Sequence, residues 1–177
     1  MKSYVALLRG INLGAHNKVA MAELRDLFDG LGAKDVATYV QSGNVVFKST
    51  DGAAKLTGAI ERKIQRDLGL SVPVLVLPRA QLTKVLSGNP FAKGKTEPAK
   101  LHVTFLAEKP ARAKVGKLDP ELGKPDEFRV VGQTIYLHCP NGYGRTKLTN
   151  NYFEKRLGVA ATTRNWKTVT KLGELAG

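Results

Sequence analysis

The chain has 177 residues, 42% of them hydrophobic and 24% charged, a composition that excludes disordered and fibrous classes. Its 28 lysines and arginines against 15 acidic residues give a net charge of +13, and its single cysteine excludes an internal disulfide. The longest apolar runs, such as Val72 to Pro78, fall well short of the roughly 18 residues a spanning helix needs, so a cytoplasmic protein with no membrane partner is expected.

In chain order, Tyr4 to Leu8 reads as a short apolar strand ending at Arg9-Gly10. Met21, Leu24, Phe28 and Leu31 recur at helical spacing, with Gly32 as the stop. Val36–Val40 and Val45–Phe47 are β-rich runs joined by Gln41-Ser42-Gly43-Asn44, a suitable hairpin connection. Leu56, Ile60, Ile64 and Leu68 step along a second helix closed by Gly69, and Val72 to Leu77 is a last strand. The order is βαββαβ, so residues 1–78 are expected to form a ferredoxin-like α+β domain.

Residues 79–177 are expected to form a second, similar α+β half. It opens with a short helical run at Leu82, Val85 and Leu86, followed by a Gly/Pro/Lys-rich stretch from Gly88 to Pro98. Leu101, Val103 and Phe105 alternate with polar residues as in a strand. A helical turn near Leu118 precedes the strands Phe128–Val131 and Thr134–Cys139, which flank Gly132-Gln133 as in a two-residue hairpin. If Val131 pairs with Thr134, then Phe128, Val130, Ile135, Leu137 and Cys139 share one face. Arg129, Tyr136 and His138 share the other, which reads as open. Two helices end the chain. One covers Asn150 to Leu157, started by Asn150 and Asn151 and stopped by Gly158. The other starts after Thr162-Thr163, either of which suits a cap, so no clear fourth strand is expected.

Two regions suit an anion. The loop from Arg9 to Lys18 joins a strand to a helix and carries Gly10 and Gly14, whose neighbouring N–H groups can surround a phosphate. It lacks the Gly-Lys-Ser/Thr of a Walker A loop and the third glycine of a dinucleotide fingerprint. In a βαββαβ sheet strands one and three are adjacent and antiparallel. Arg9, Asn12, Asn17, Lys18, Gln41, Ser42 and Asn44 should therefore gather at one sheet edge, beside the N-terminus of the first helix. The same cluster equally suits hydrogen bonds that stitch two loops together.

The second region is electrostatic. Residues 1–78 hold 10 basic and 7 acidic residues, a net +3, and residues 79–177 hold 18 and 8, a net +10. Arg145, Lys147, Lys155, Arg156, Arg164 and Lys167 interleave with Tyr143, Tyr152, Phe153 and Trp166, a pattern that fits nucleic acid as well as a solvated basic face. Thr162 to Trp166 reads as a helix entrance that would bring N–H groups and Arg164 to an anion.

Catalytic signatures are few. His16, His102 and His138 lack metal-ligand spacing, no cofactor motif is present, and Cys139 and His138 point to opposite faces of a strand. The third strand, Gly43-Asn44-Val45-Val46-Phe47, lacks the stacking aromatics of an RNA-recognition motif, for which Tyr136 beside Arg129 is the nearest substitute.

The strings RGINLGAHNKVAM (9–21), TYVQSGNVVF (38–47) and LTNNYFEKRLGVAATTRNW (148–166) together resemble one mostly bacterial family, the uncharacterised domain of unknown function 1697. The resemblance runs from near Met1 to about Leu172 and implies a cytoplasmic α+β protein in two halves. It implies no activity. Members often show Gly-Gly-Lys where this chain has Gly14-Ala15-His16, and proline where it has Ala20 and Ala160.

Three functions follow. The first is a polyanion binder, with nucleic acid as partner, using the C-terminal basic residues. The second is an enzyme or ligand-binding protein with a phosphate-bearing substrate at the loop cluster. The third is an interaction or scaffold protein whose charge serves solvation.

Overall fold

The computed structural model describes residues 1–177, which divide into two compact units: Met1–Lys84 with Lys171–Gly177, and Val85–Thr170. The first 78 residues run β1 (Lys2–Leu8), α1 (Met21–Asp29), β2 (Lys34–Tyr39), β3 (Asn44–Ser49), α2 (Ala53–Leu68) and β4 (Val74–Pro78). Their sheet order is β2-β3-β1-β4, the split βαβ arrangement expected from the sequence. Alternation places Tyr4, Ala6 and Leu8 of β1 with Val45 and Phe47 of β3 in one core cluster. Leu24, Leu27 and Phe28 of α1 and Leu56, Ile60 and Ile64 of α2 join it at helical spacing. Phe28 meets Phe47 edge-on at 5.0 Å, and the amphipathic faces of these helices supply most of their stability. Gly69 ends α2 in the left-handed conformation, as its position predicts.

After α3 (Arg79–Ser87), the second unit runs β5 (Leu101–Leu106), α4 (Arg112–Val115), β6 (Glu127–Val131), β7 (Thr134–His138), α5 (Asn150–Leu157) and β8 (Ala161–Asn165), with α6 (Trp166–Ala176) closing the chain. Its sheet order is β6-β7-β5-β8, so this half is also a complete βαββαβ unit. The predicted register holds, with Val131 opposite Thr134. Ile135, Leu137 and Cys139 lie in one core with Phe128, Val130, Phe153 and Leu157.

Backbone hydrogen bonds repeat between the halves. Leu8 N–H donates to Gly43 C=O (2.9 Å) and Arg9 N–H to Pro73 C=O (3.0 Å). At the matching places, Leu106 N–H donates to Gln133 C=O (2.9 Å) and Ala107 N–H to Ala160 C=O (2.9 Å).

Four expectations are corrected. Ala161–Asn165 is a fourth strand, paired antiparallel with β5, and not the start of a helix. Its sequence, ATTRN, hides the strand because its β-branched positions are threonines and its second inward side is an arginine. Asn165, rather than Thr162 or Thr163, caps α6, its Oδ1 accepting the N–H of Thr168 in the first turn at 2.8 Å. The cap of α5 is Thr149, whose hydroxyl accepts Tyr152 N–H, while Asn150 Oδ1 accepts the Thr163 hydroxyl at 2.7 Å. Tyr136 does not lie on an open face either. It is 2% exposed and donates its hydroxyl to Val85 C=O at 2.9 Å, so no base can stack on it.

Candidate anion-binding site

The loop cluster assembles where topology places it. Leu7 pairs with Asn44 across β1 and β3, which brings the 9–18 loop against the 41–44 turn. Asn12 is the clamp. It adopts φ +54, donates from Nδ2 to Val19 C=O (2.9 Å) and Gln41 C=O (2.7 Å), and accepts Val19 N–H at Oδ1 (2.8 Å). Both amide protons and the amide oxygen are thereby used within the chain. Asn17 donates to Gly10 C=O, and the buried Asn44 donates to Tyr39 C=O and the Ser42 hydroxyl. Arg9 is half-buried, while Gln41, Ser42 and Lys18 are exposed. A cavity of about 420 Å³ opens here, lined by Asn12, Lys18, Gln41 and also Glu23, whose carboxylate shares the space with the lysine. The asparagines of this cluster are thus engaged as stitching, and Lys18 is the cation left facing the cavity.

In the second unit, 15 basic residues face 7 acidic ones, a net +8, against 13 and 8, a net +5, in the first. Arg145, Lys147, Lys155, Arg156 and Lys167 are all exposed. Arg164 is not. It sits in β8 at 8% exposure, with Nη1 donating to the Thr162 hydroxyl (2.7 Å) and Thr163 C=O (2.9 Å). Desolvation pulls its guanidinium down to about 10, still cationic at neutral pH. It is a residue of the fold rather than a hand offered to a polymer.

Arg145 and Lys147 converge with Lys124 on a cleft of about 430 Å³, which Asp126, Asn141 and Gly142 also line. The loop that carries them follows β7 and includes Gly142 at φ +88 and a 3₁₀ turn over Tyr143–Arg145. On α5, Arg156 lies over the Tyr152 ring at 5.7 Å, an arginine-aromatic pair beside Lys155. Sequence reasoning did not single out Lys124, which reaches this cleft from a distant turn where it also pairs with Glu121.

Two buried groups lie beneath the same loop. Cys139 is fully buried, and desolvation with the nearby Asp126 charge pushes its thiol up to about 11, which suits a core residue and not a nucleophile. His102 stacks on Tyr143 at 4.6 Å, and its Nδ1 is buried with no hydrogen-bond partner. Burial pulls its pKa below the ordinary histidine value, because the imidazolium would place an unpaired N–H in the core. The unfolded chain therefore takes up a proton before the folded one does. Stability should fall as pH drops through about 6.5, and His102→Phe should flatten that part of the curve in urea titrations between pH 7.5 and 5. An unchanged slope in the variant would assign the acid sensitivity elsewhere.

Two four-stranded antiparallel sheets, each in a βαββαβ unit, define an α+β protein with no helix long and apolar enough to cross a membrane. Residues 1–136 match the family described as "Protein of unknown function (DUF1697)", and the chain belongs to it. The fold is similar to that of the conserved bacterial protein SP0830 from Streptococcus pneumoniae, at 25% identity and a TM-score of 0.73 over 99% of each chain. No curated protein matches the sequence.

Proposed function

We propose that the protein binds a polyanion, with nucleic acid as the partner, through the basic surface of its second unit. The observation that carries this reading is the convergence of Lys124, Arg145 and Lys147 on one cleft, with Lys155 and Arg156 exposed on the helix that follows. Phosphate binding by such side chains is sequence-tolerant and salt-dependent, since each neutralised phosphate releases counterions. The loop cluster supports a small-anion site less well, because its Asn12 amide is engaged internally and Lys18 there faces Glu23 one to one, whereas three cations accompany Asp126 in the cleft.

Fluorescence anisotropy with short labelled single strands tests the reading. Binding should persist at physiological salt, and Arg145→Glu with Lys147→Glu should weaken it by about tenfold or more. Loss of wild-type binding at physiological salt, or a doubly reversed variant that binds as the wild type does, would remove it.

A further inference from the structure

The basic surface of the second unit also carries a braced aromatic ring. The cap of α5, Thr149, lies two residues after Lys147 of the cleft, and its hydroxyl accepts Tyr152 N–H at 3.1 Å. That bond fixes Tyr152 in the first turn, between Lys147 and the Lys155-Arg156 pair along the chain. The tyrosine is half-buried, and its ring packs on the fully buried Phe153 with ring centres 5.2 Å apart. Arg156, one turn further on, stands over the ring at 5.7 Å, wider than a flat stacked contact. Arg145, Lys147, Lys155 and Arg156 pair with no carboxylate of the chain. The one acid of this helix, Glu154, accepts Ala161 N–H at 3.1 Å. Phosphates would answer the unpaired cations, and the ring held among them offers a flat face that phosphates do not use.

We propose that Tyr152 and Arg156 stack one base of a single-stranded nucleic acid whose neighbouring phosphates lie on Arg145, Lys147 and Lys155, so that the protein selects single strands over duplexes. The inference rests on the polyanion reading above and names its substrate class. Every base has a flat face, so stacking on a ring is sequence-tolerant, and it strengthens binding by about tenfold per base. Arg156, exposed and held by no carboxylate, can close over a base laid against the ring, since guanidinium planes stack on bases as they do on tyrosine. A duplex offers only its phosphates to this surface, because its bases already stack on one another. Phosphate attraction alone ranks the two the other way, since a duplex carries the denser charge. The order of single strand and duplex therefore separates stacking from charge.

The experiment takes one length in four forms, each labelled and titrated with the full chain at physiological salt. They are single-stranded DNA, single-stranded RNA, an abasic strand with the same number of phosphates, and a duplex. The tighter of the DNA and RNA strands, which names the backbone, should bind about tenfold more tightly than the abasic strand and more tightly than the duplex. This comparison uses only the wild type, so it does not depend on a variant that folds. Tyr152→Ala, checked for an intact melting transition, should then bring the natural strand down to the abasic one, while Tyr152→Phe should keep the difference. If natural and abasic strands bind equally, or the duplex binds most tightly, the inference fails and the polyanion reading stands. A difference that survives in folded Tyr152→Ala would also overturn it. If no strand binds at that salt, the polyanion reading fails and the inference goes with it.

Discussion

Gly43→Ala is expected to destabilise the first unit by about 3 kcal/mol, while Gly14→Ala, in the neighbouring loop, should cost about 1 kcal/mol. Both glycines have positive φ, +82° and +61°, so both substitutions carry the left-handed penalty. They differ in surroundings. A Cβ on Gly43 would stand 2.8 Å from Leu8 Cβ and 2.9 Å from Ile11 Cδ1, whereas one on Gly14 would meet nothing within 4 Å. Leu8 and Ile11 are buried, and Leu8 N–H is bonded to Gly43 C=O itself, so neither side of the contact can move apart without breaking the strand end. Urea unfolding of the two variants separates the terms. Equal losses would mean that the close approach contributes nothing and that conformation alone matters.

That contact also shows what the sequence could and could not reveal. The periods of β1 to β4 and their helices were legible because each apolar set faces one core, from Tyr4 and Phe47 to Ile60 and Ile64. From topology it followed that the 9–18 loop meets the 41–44 turn. It did not follow that Asn12 would use every polar atom of its side chain there, since that depends on distances within a loop. The β8 strand was illegible for a different reason. Threonine and arginine carry its inner positions, and its pairing with β5 is a long-range fact that local propensity does not hold. The same strand buries Arg164, which by charge alone looked like its exposed basic neighbours. Lys124 escaped notice because a cleft built by residues far apart in sequence leaves no local pattern.

The loop stitching makes its own prediction. Asn12→Asp keeps the size, the tolerance of positive φ and the oxygen that accepts Val19 N–H. It replaces the amide donor with an oxygen facing two carbonyls, those of Val19 and Gln41, where bonds of 2.9 and 2.7 Å now run. Two hydrogen bonds become two repulsions, and about 2 kcal/mol should be lost at pH 7 for this half-buried position. The carbonyls raise the folded-state pKa of the introduced carboxyl above its unfolded value near 3.9. Its protonated form, which can donate again, is therefore favoured in the folded state. The penalty is fully present above the folded pKa and shrinks as pH falls toward the unfolded one. Urea unfolding of wild type and variant at pH 7 and pH 4 should show the gap narrowing at the lower pH. A gap of the same size at both would mean that the loop already tolerates the lost donors, and that the 9–18 segment is held by its backbone bonds, such as Asn12 N–H to Asn17 C=O. In that case the Asn12 side chain could turn toward a ligand without loss to the fold, and the cavity beside Lys18 would regain its claim as a binding site.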